Sequence, residues 1–137
     1  MDKIYNNIYV GDMSSPGLSD SFDLIVNCTK DIPKNSKGIN ELRVPVDDTP
    51  DDQNEMLKYL PWITYQIHQV WSRGGKVLIH CFAGVSRSAT VCAAYLMRYH
   101  GFMSVQETVR YMRLKRPIVF GNANFKDALE TFNIRYH

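Results

Sequence analysis

A chain of 137 residues, 45% of them hydrophobic, has room for one packed core, so a single domain over 1–137 is the expectation. A net charge of +2 gives no ground for nucleic-acid binding, and no segment reaches the length of a membrane span. Three cysteines, Cys28, Cys81 and Cys92, are too few and too odd for a secreted disulfide scaffold. No Cys/His spacing reads as zinc, and the start Met1-Asp2-Lys3-Ile4 lacks the apolar run of a signal peptide and a myristoylation glycine. An intracellular, reducing setting follows, cytoplasmic and/or nuclear, with no metal and no cofactor.

In chain order, residues 4–11 read as a first short strand ending at Gly11, and residues 12–20, rich in Ser, Gly and Pro, as a surface loop. Residues 23–28 form a stronger strand with Cys28 at its C-terminal end, the end at which α/β sheets carry their sites. Cys28 reads as a packed core thiol, with a redox partner for Cys81 as the alternative and Cys92 the weaker candidate for that role. After a loop over 31–40 comes a strand at 41–44, stopped by Pro45. Asp47, Asp48, Asp51 and Asp52 then form an acidic stretch, a solvated loop in the bland reading, with Asp51 and Asp52 as helix-start residues. Leu57, Leu60, Ile63 or Thr64, Ile67 and Val70 or Trp71 recur at helical spacing over 54–73; Pro61 predicts a kink or two short helices there. His68 has no catalytic context and reads as a surface or packed helix residue. Gly74-Gly75 ends this element, and Lys76 leads into a strand at 77–79. A helix is expected from about Arg87 to Tyr99. A capping box, Ser104-Val105-Gln106-Glu107, opens another that runs to about Leu114 and stops by Pro117. Arg110, Arg113, Lys115 and Arg116 crowd it, as a solvated face or as a field that steers acidic phosphosubstrates. Phe125, Leu129 and Phe132 place the last helix.

The chemistry concentrates in Val77-Leu78-Ile79-His80-Cys81-Phe82-Ala83-Gly84-Val85-Ser86-Arg87-Ser88. An apolar strand passes through a cysteine and a small-residue loop into a helix. Gly84 allows the sharp turn, and the unpaired N–H groups of the helix N-terminus converge on one point, backed by the positive end of the helix dipole. That is an anion site of phosphate size. The same field favours thiolate over thiol at Cys81 and so makes it a nucleophile. Arg87 can hold two phosphoryl oxygens with its planar fork. Ser88 can hydrogen-bond the sulfur and improve it as a leaving group. His80 orients the cysteine and loop backbone instead of acting as a base. Phosphoryl transfer to sulfur, then hydrolysis of the thiophosphate, is the implied reaction.

The residues His80-Cys81, the five that follow and Arg87 resemble the signature of the cysteine-dependent protein tyrosine phosphatase superfamily, and HCFAGVSRSAT is similar to its dual-specificity branch. The Gly-Gly-Lys run before the strand is also similar to that branch. The resemblance implies a protein tyrosine phosphatase-like α/β fold: one compact domain with a mixed, largely parallel central sheet flanked by helices. It implies hydrolysis of phosphotyrosine and phosphoserine or phosphothreonine in proteins through a cysteinyl phosphate. The substrate phosphate would lie among Phe82, Ala83, Gly84, Val85, Ser86 and Arg87. A carboxylic acid must protonate the leaving oxygen; in the family it lies three residues after a proline, which is Asp48 here, with Asp47 the alternative. The family's Pro-Asn, two residues, then Phe pattern is matched by Asn122 and Phe125, with Gly121 in place of proline, and implies that Asn122 braces the phosphate loop. Expected partners are phosphorylated proteins, with neither nucleic acid nor membrane; oligomeric state is left open. A phosphoinositide or RNA 5′-triphosphate substrate is the alternative within the class, disfavoured because Phe82, Ala83, Val85 and Ser86 carry no cation. A phosphoprotein-binding module is the non-enzymatic alternative, disfavoured because Cys81, Arg87 and an acid are all present.

Overall fold

A computed structural model describes residues 1–17, 21–34 and 40–136. Its centre is a five-stranded sheet of order β1-β2-β5-β3-β4, made of β1 (Asp2–Tyr5), β2 (Ile8–Gly11), β3 (Leu24–Asn27), β4 (Asn40–Arg43) and β5 (Val77–His80). Strands β2, β5, β3 and β4 run parallel, and β1 is antiparallel to β2. The expected strand over 4–11 is therefore a hairpin. Asn7 takes φ 60° in the turn, a conformation that asparagine tolerates better than other side-chain-bearing residues. The loop expectations at 18–20 and 35–39 lie outside the described residues.

Alternation along the strands decides which side each residue serves. Ile8, Val10, Leu24, Val26, Val77 and Ile79 join the main core, together with residues from all four helices. Ile25 and Leu78 point the other way and meet Phe22 and Tyr9 in a smaller cluster that contains no helical residue. Lys76 Nζ lies 4.9 Å from the Tyr9 ring centre and 5.0 Å from that of Phe22, so its stem and charge cover this second face.

The helices are α1 (Gln53–Ser72), α2 (Arg87–Tyr99), α3 (Val105–Lys115) and α4 (Lys126–Arg135). α2 is buried along almost its whole length, which suits its run of small and apolar residues. Pro61 does not divide α1. Met56, Leu60, Ile63 and Ile67 pack on both sides of it, and the Pro61 carbonyl accepts from Arg98 Nη1 at 2.8 Å, so tertiary contacts outweigh the lost backbone donor. Asp51 and Asp52 stand at the helix start as expected, in the turn that leads into α1, with Asp52 just before its first residue. Thr49 caps the short 3-10 turn Pro50–Asp52 by accepting from the Asp51 amide at 3.0 Å, while the Asp52 carboxylate turns back to the Asp47 amide at 2.7 Å. α3 opens as its sequence predicts, with Ser104 Oγ accepting from the Glu107 amide at 3.0 Å; Glu107 in turn accepts from the Met103 amide at 3.1 Å.

Candidate active site

β5 ends at His80, and the chain turns immediately at Cys81, which is 2% exposed. The segment from 82 to 86 is a loop whose carbonyls all point outward. Phe82 O accepts from the Met13 amide at 3.0 Å, and Ala83 O and Gly84 O accept from the Arg116 guanidinium at 3.3 and 2.9 Å. Val85 O accepts from the Phe120 amide at 2.7 Å, and Ser86 O from the Thr90 amide at 2.9 Å and hydroxyl at 2.8 Å. With the carbonyls held outside, the amides are left to face inward. Among the described residues, no amide from 82 to 87 donates to a protein acceptor. Such a ring of unpaired N–H groups is an anion cradle, and the N-terminus of α2 closes it. Ser86 occupies the N-cap but its hydroxyl does not cap α2; it donates to Asn122 Oδ1 at 3.0 Å.

Gly84 is required twice over. Its φ is +67°, and a Cβ there would lie 2.6 Å from both Gly11 O and Arg116 Nη2.

Around the cradle, Ser88 Oγ is 3.2 Å from Cys81 Sγ. Arg87 Nη1 donates to Val46 O at 2.9 Å, whereas its buried Nε has no partner, an orphan donor that an anion in the cradle would satisfy. His80 is 1% exposed, and burial lowers its pKa to about 4; the neighbouring Cys81 backbone opposes that shift without cancelling it. It is a neutral, packed imidazole, in keeping with an orienting role.

The two neighbouring aspartates are separated by their partners. Asp47 pairs with Lys30 at 3.0 Å. Asp48 faces the loop that precedes α4: its Oδ1 accepts from Asn124 Nδ2 at 2.9 Å, and Asn122 Nδ2 lies 3.4 Å from Oδ2. Asn122 thus touches both Asp48 and Ser86, linking the acid-bearing loop to the cradle. Asn124 and Arg116 are the residues that sequence reasoning missed. Arg116 is only 8% exposed and ion-pairs with Asp2 at 2.8 Å while holding the two loop carbonyls, so it is neither a solvated nor a steering charge. Its one sequence signal is its place next to Pro117, just before the Asn122 segment. Cys28 and Cys92 are fully buried free thiols, and burial raises the pKa of both. Among the described residues no group of His, Cys, Asp and Glu could hold a metal ion.

Fold and loop together define a phosphate-binding α/β domain with a cysteine at the base of its anion cradle. Residues 9–135 match the family described as dual specificity phosphatase, catalytic domain. The chain belongs to that family. It is 38% identical over 133 residues to the 123R protein of Invertebrate iridescent virus 6, covering 95% of this chain and 89% of that one. It is 37% identical over 99 residues to human dual specificity protein phosphatase 21, covering 72% of this chain and 50% of the relative. The crystal structure of human DUSP28 superposes with a TM-score of 0.90 at 28% identity, covering 98% of this chain and 93% of that one. The chain is a phosphatase of the dual-specificity class, acting on phosphotyrosine and phosphoserine or phosphothreonine in proteins.

Proposed function

We propose that Cys81 is the nucleophile of a two-step phosphoprotein hydrolysis, with Asp48 as its acid and base and Arg87 as its phosphate clamp. The carbonyl-out loop over Cys81 carries this reading, because its carbonyls are taken up by other elements while its amides lack protein acceptors and are free to hold a phosphoryl group. In the first step Cys81 Sγ forms a bond to phosphorus as the ester P–O bond breaks, and Asp48 gives its proton to the departing oxygen. Arg87 Nε and the loop amides hold the equatorial oxygens. In the second step water attacks phosphorus, the Asp48 carboxylate takes its proton and the S–P bond breaks. The Ser88 hydroxyl stabilises the departing thiolate. Asn122 and Asn124 position Asp48, and His80 fixes the loop backbone.

The reading places the protein in a reducing compartment of the cell, supported by three free thiols within one core. Among the described residues no helix is long and apolar enough to cross a membrane. Phosphate release from matched phosphotyrosine, phosphothreonine and phosphoinositide substrates tests the function. Release from both phosphopeptides, abolished in Cys81→Ser, is expected; release confined to the lipid would transfer the function to phosphoinositides.

A further inference from the structure

Beside the catalytic loop, a groove of about 880 Å³ opens between α3 and α4. Its floor is apolar, from Val105, Val109, Phe125 and Leu129, and Leu114 stands at its lip, 79% exposed. The charges that line it are Arg110, Arg113 and Lys126 against the single carboxylate of Glu130. Arg113 is committed to the protein, donating to Val119 O at 3.2 Å and Phe120 O at 3.0 Å. Arg110 and Lys126 are exposed, and their side chains have no partner among the described residues. Ser86 and Asn122, which join the cradle to the acid-bearing loop, also line the groove.

We propose that this groove docks an apolar segment flanked by acidic residues in the phosphoprotein substrate, apart from the phosphorylated residue itself. The inference rests on the phosphoprotein reading above. Charge complementarity decides the occupant: two uncommitted cations at the rim select acidic flanks, while an apolar floor and an exposed leucine select aliphatic or aromatic side chains. A bare inositol phosphate headgroup would meet the cations but leave the floor uncovered. Docking there would raise the effective concentration of the phosphoresidue at Cys81 without altering the chemical step.

The test has a binding arm and a kinetic arm. A short fluorescein-labelled, unphosphorylated peptide of glutamates with leucine and phenylalanine at helical spacing is titrated into Cys81→Ser protein, alone and carrying Arg110→Glu and Lys126→Glu. Saturable binding, weakened about tenfold or more by the charge reversals and by added salt, is expected. The same segment appended to a phosphotyrosine peptide should lower KM several-fold for the otherwise unmutated enzyme and not for the double charge-reversal variant. Turnover of p-nitrophenyl phosphate should be equal in both. No saturable binding, or binding indifferent to the reversals, would overturn the proposal. So would Arg110- and Lys126-dependent binding to phosphoinositide vesicles in place of the peptide, which would make the groove a lipid site. Failure of every phosphopeptide as a substrate would instead refute the underlying function, and the binding arm reads docking independently of turnover.

Discussion

At the scale of single residues, adjacent aspartates are set in different surroundings by their partners. Asp47 is held by Lys30, and Asp48 by two asparagine amides on the far loop. Asp48→Asn should therefore lower kcat for phosphopeptides by about 10²–10⁴, the usual range for a general acid, with KM little changed. For substrates whose leaving oxygen needs no proton the loss should be smaller. Asp47→Asn should leave kcat within about twofold, since it removes only an exposed ion pair. Steady-state kinetics of both variants on one phosphopeptide decides the assignment, and a larger loss for Asp47→Asn would reverse it. The resemblance to the family put Asp48 first through its distance from Pro45 and kept Asp47 as the alternative; the contact that separates their surroundings spans more than seventy residues and is not visible in the sequence. Asn124 was illegible for the same reason.

At the scale of elements, the loop at 82–86 holds its shape because neighbouring elements take up its carbonyls. Arg116, just beyond α3, is the largest such tie. Arg116→Met keeps much of the volume but leaves Ala83 O and Gly84 O without a donor. Unfolding free energy should fall by about 1–3 kcal/mol. Phosphate affinity should weaken with it, since amides face inward only while carbonyls are held outward. Urea unfolding and phosphate inhibition check the two effects; a stable variant with unchanged phosphate affinity would show that the loop holds itself. The sequence made most elements visible: α2 begins and ends where its helix formers do, and the Ser104 cap was readable in four letters. It failed where a weak local signal met a strong distant one. The turn at Asn6-Asn7 lacks the glycine that usually announces a hairpin, and Pro61 leaves a kink and a division into two short helices both open until the core contacts on both sides of it rule out the division. The burial of Arg116 is of the same kind, since among four clustered cations composition does not mark which one turns inward.

At the scale of the whole molecule, one buried and two half-buried imidazoles, His80, His68 and His100, shape the response to acid. His80 and His100 both have pKa values lowered to about 4, chiefly by burial, and His68 is lowered in the same direction. His68 and His100 sit on either side of the buried Tyr95 hydroxyl, at 3.0 and 2.9 Å, with His68 stacked on Tyr99 at 3.9 Å between ring centres. Each of these groups binds a proton more readily in the unfolded chain, where histidine titrates near its ordinary value. Stability should therefore fall as pH drops from about 6.5 toward 4, and the histidines should have no effect on it above that window. For His80 alone the loss at pH 4 is on the order of 3 kcal/mol. Chemical unfolding at pH 7, 5.5 and 4.5 measures the slope, and stability that rises on acidification would contradict the burial assigned to these rings.

Trapping the intermediate shows whether phosphate passes through Cys81. A labelled phosphopeptide is mixed with enzyme, the reaction is quenched in acid during turnover, and the digested protein is searched for a phosphorylated cysteine. Phosphate is expected on Cys81, absent from Cys81→Ser, and lost on chase with unlabelled substrate at the rate of turnover. Phosphate release with no adduct on Cys81, or turnover that survives Cys81→Ser, would contradict it.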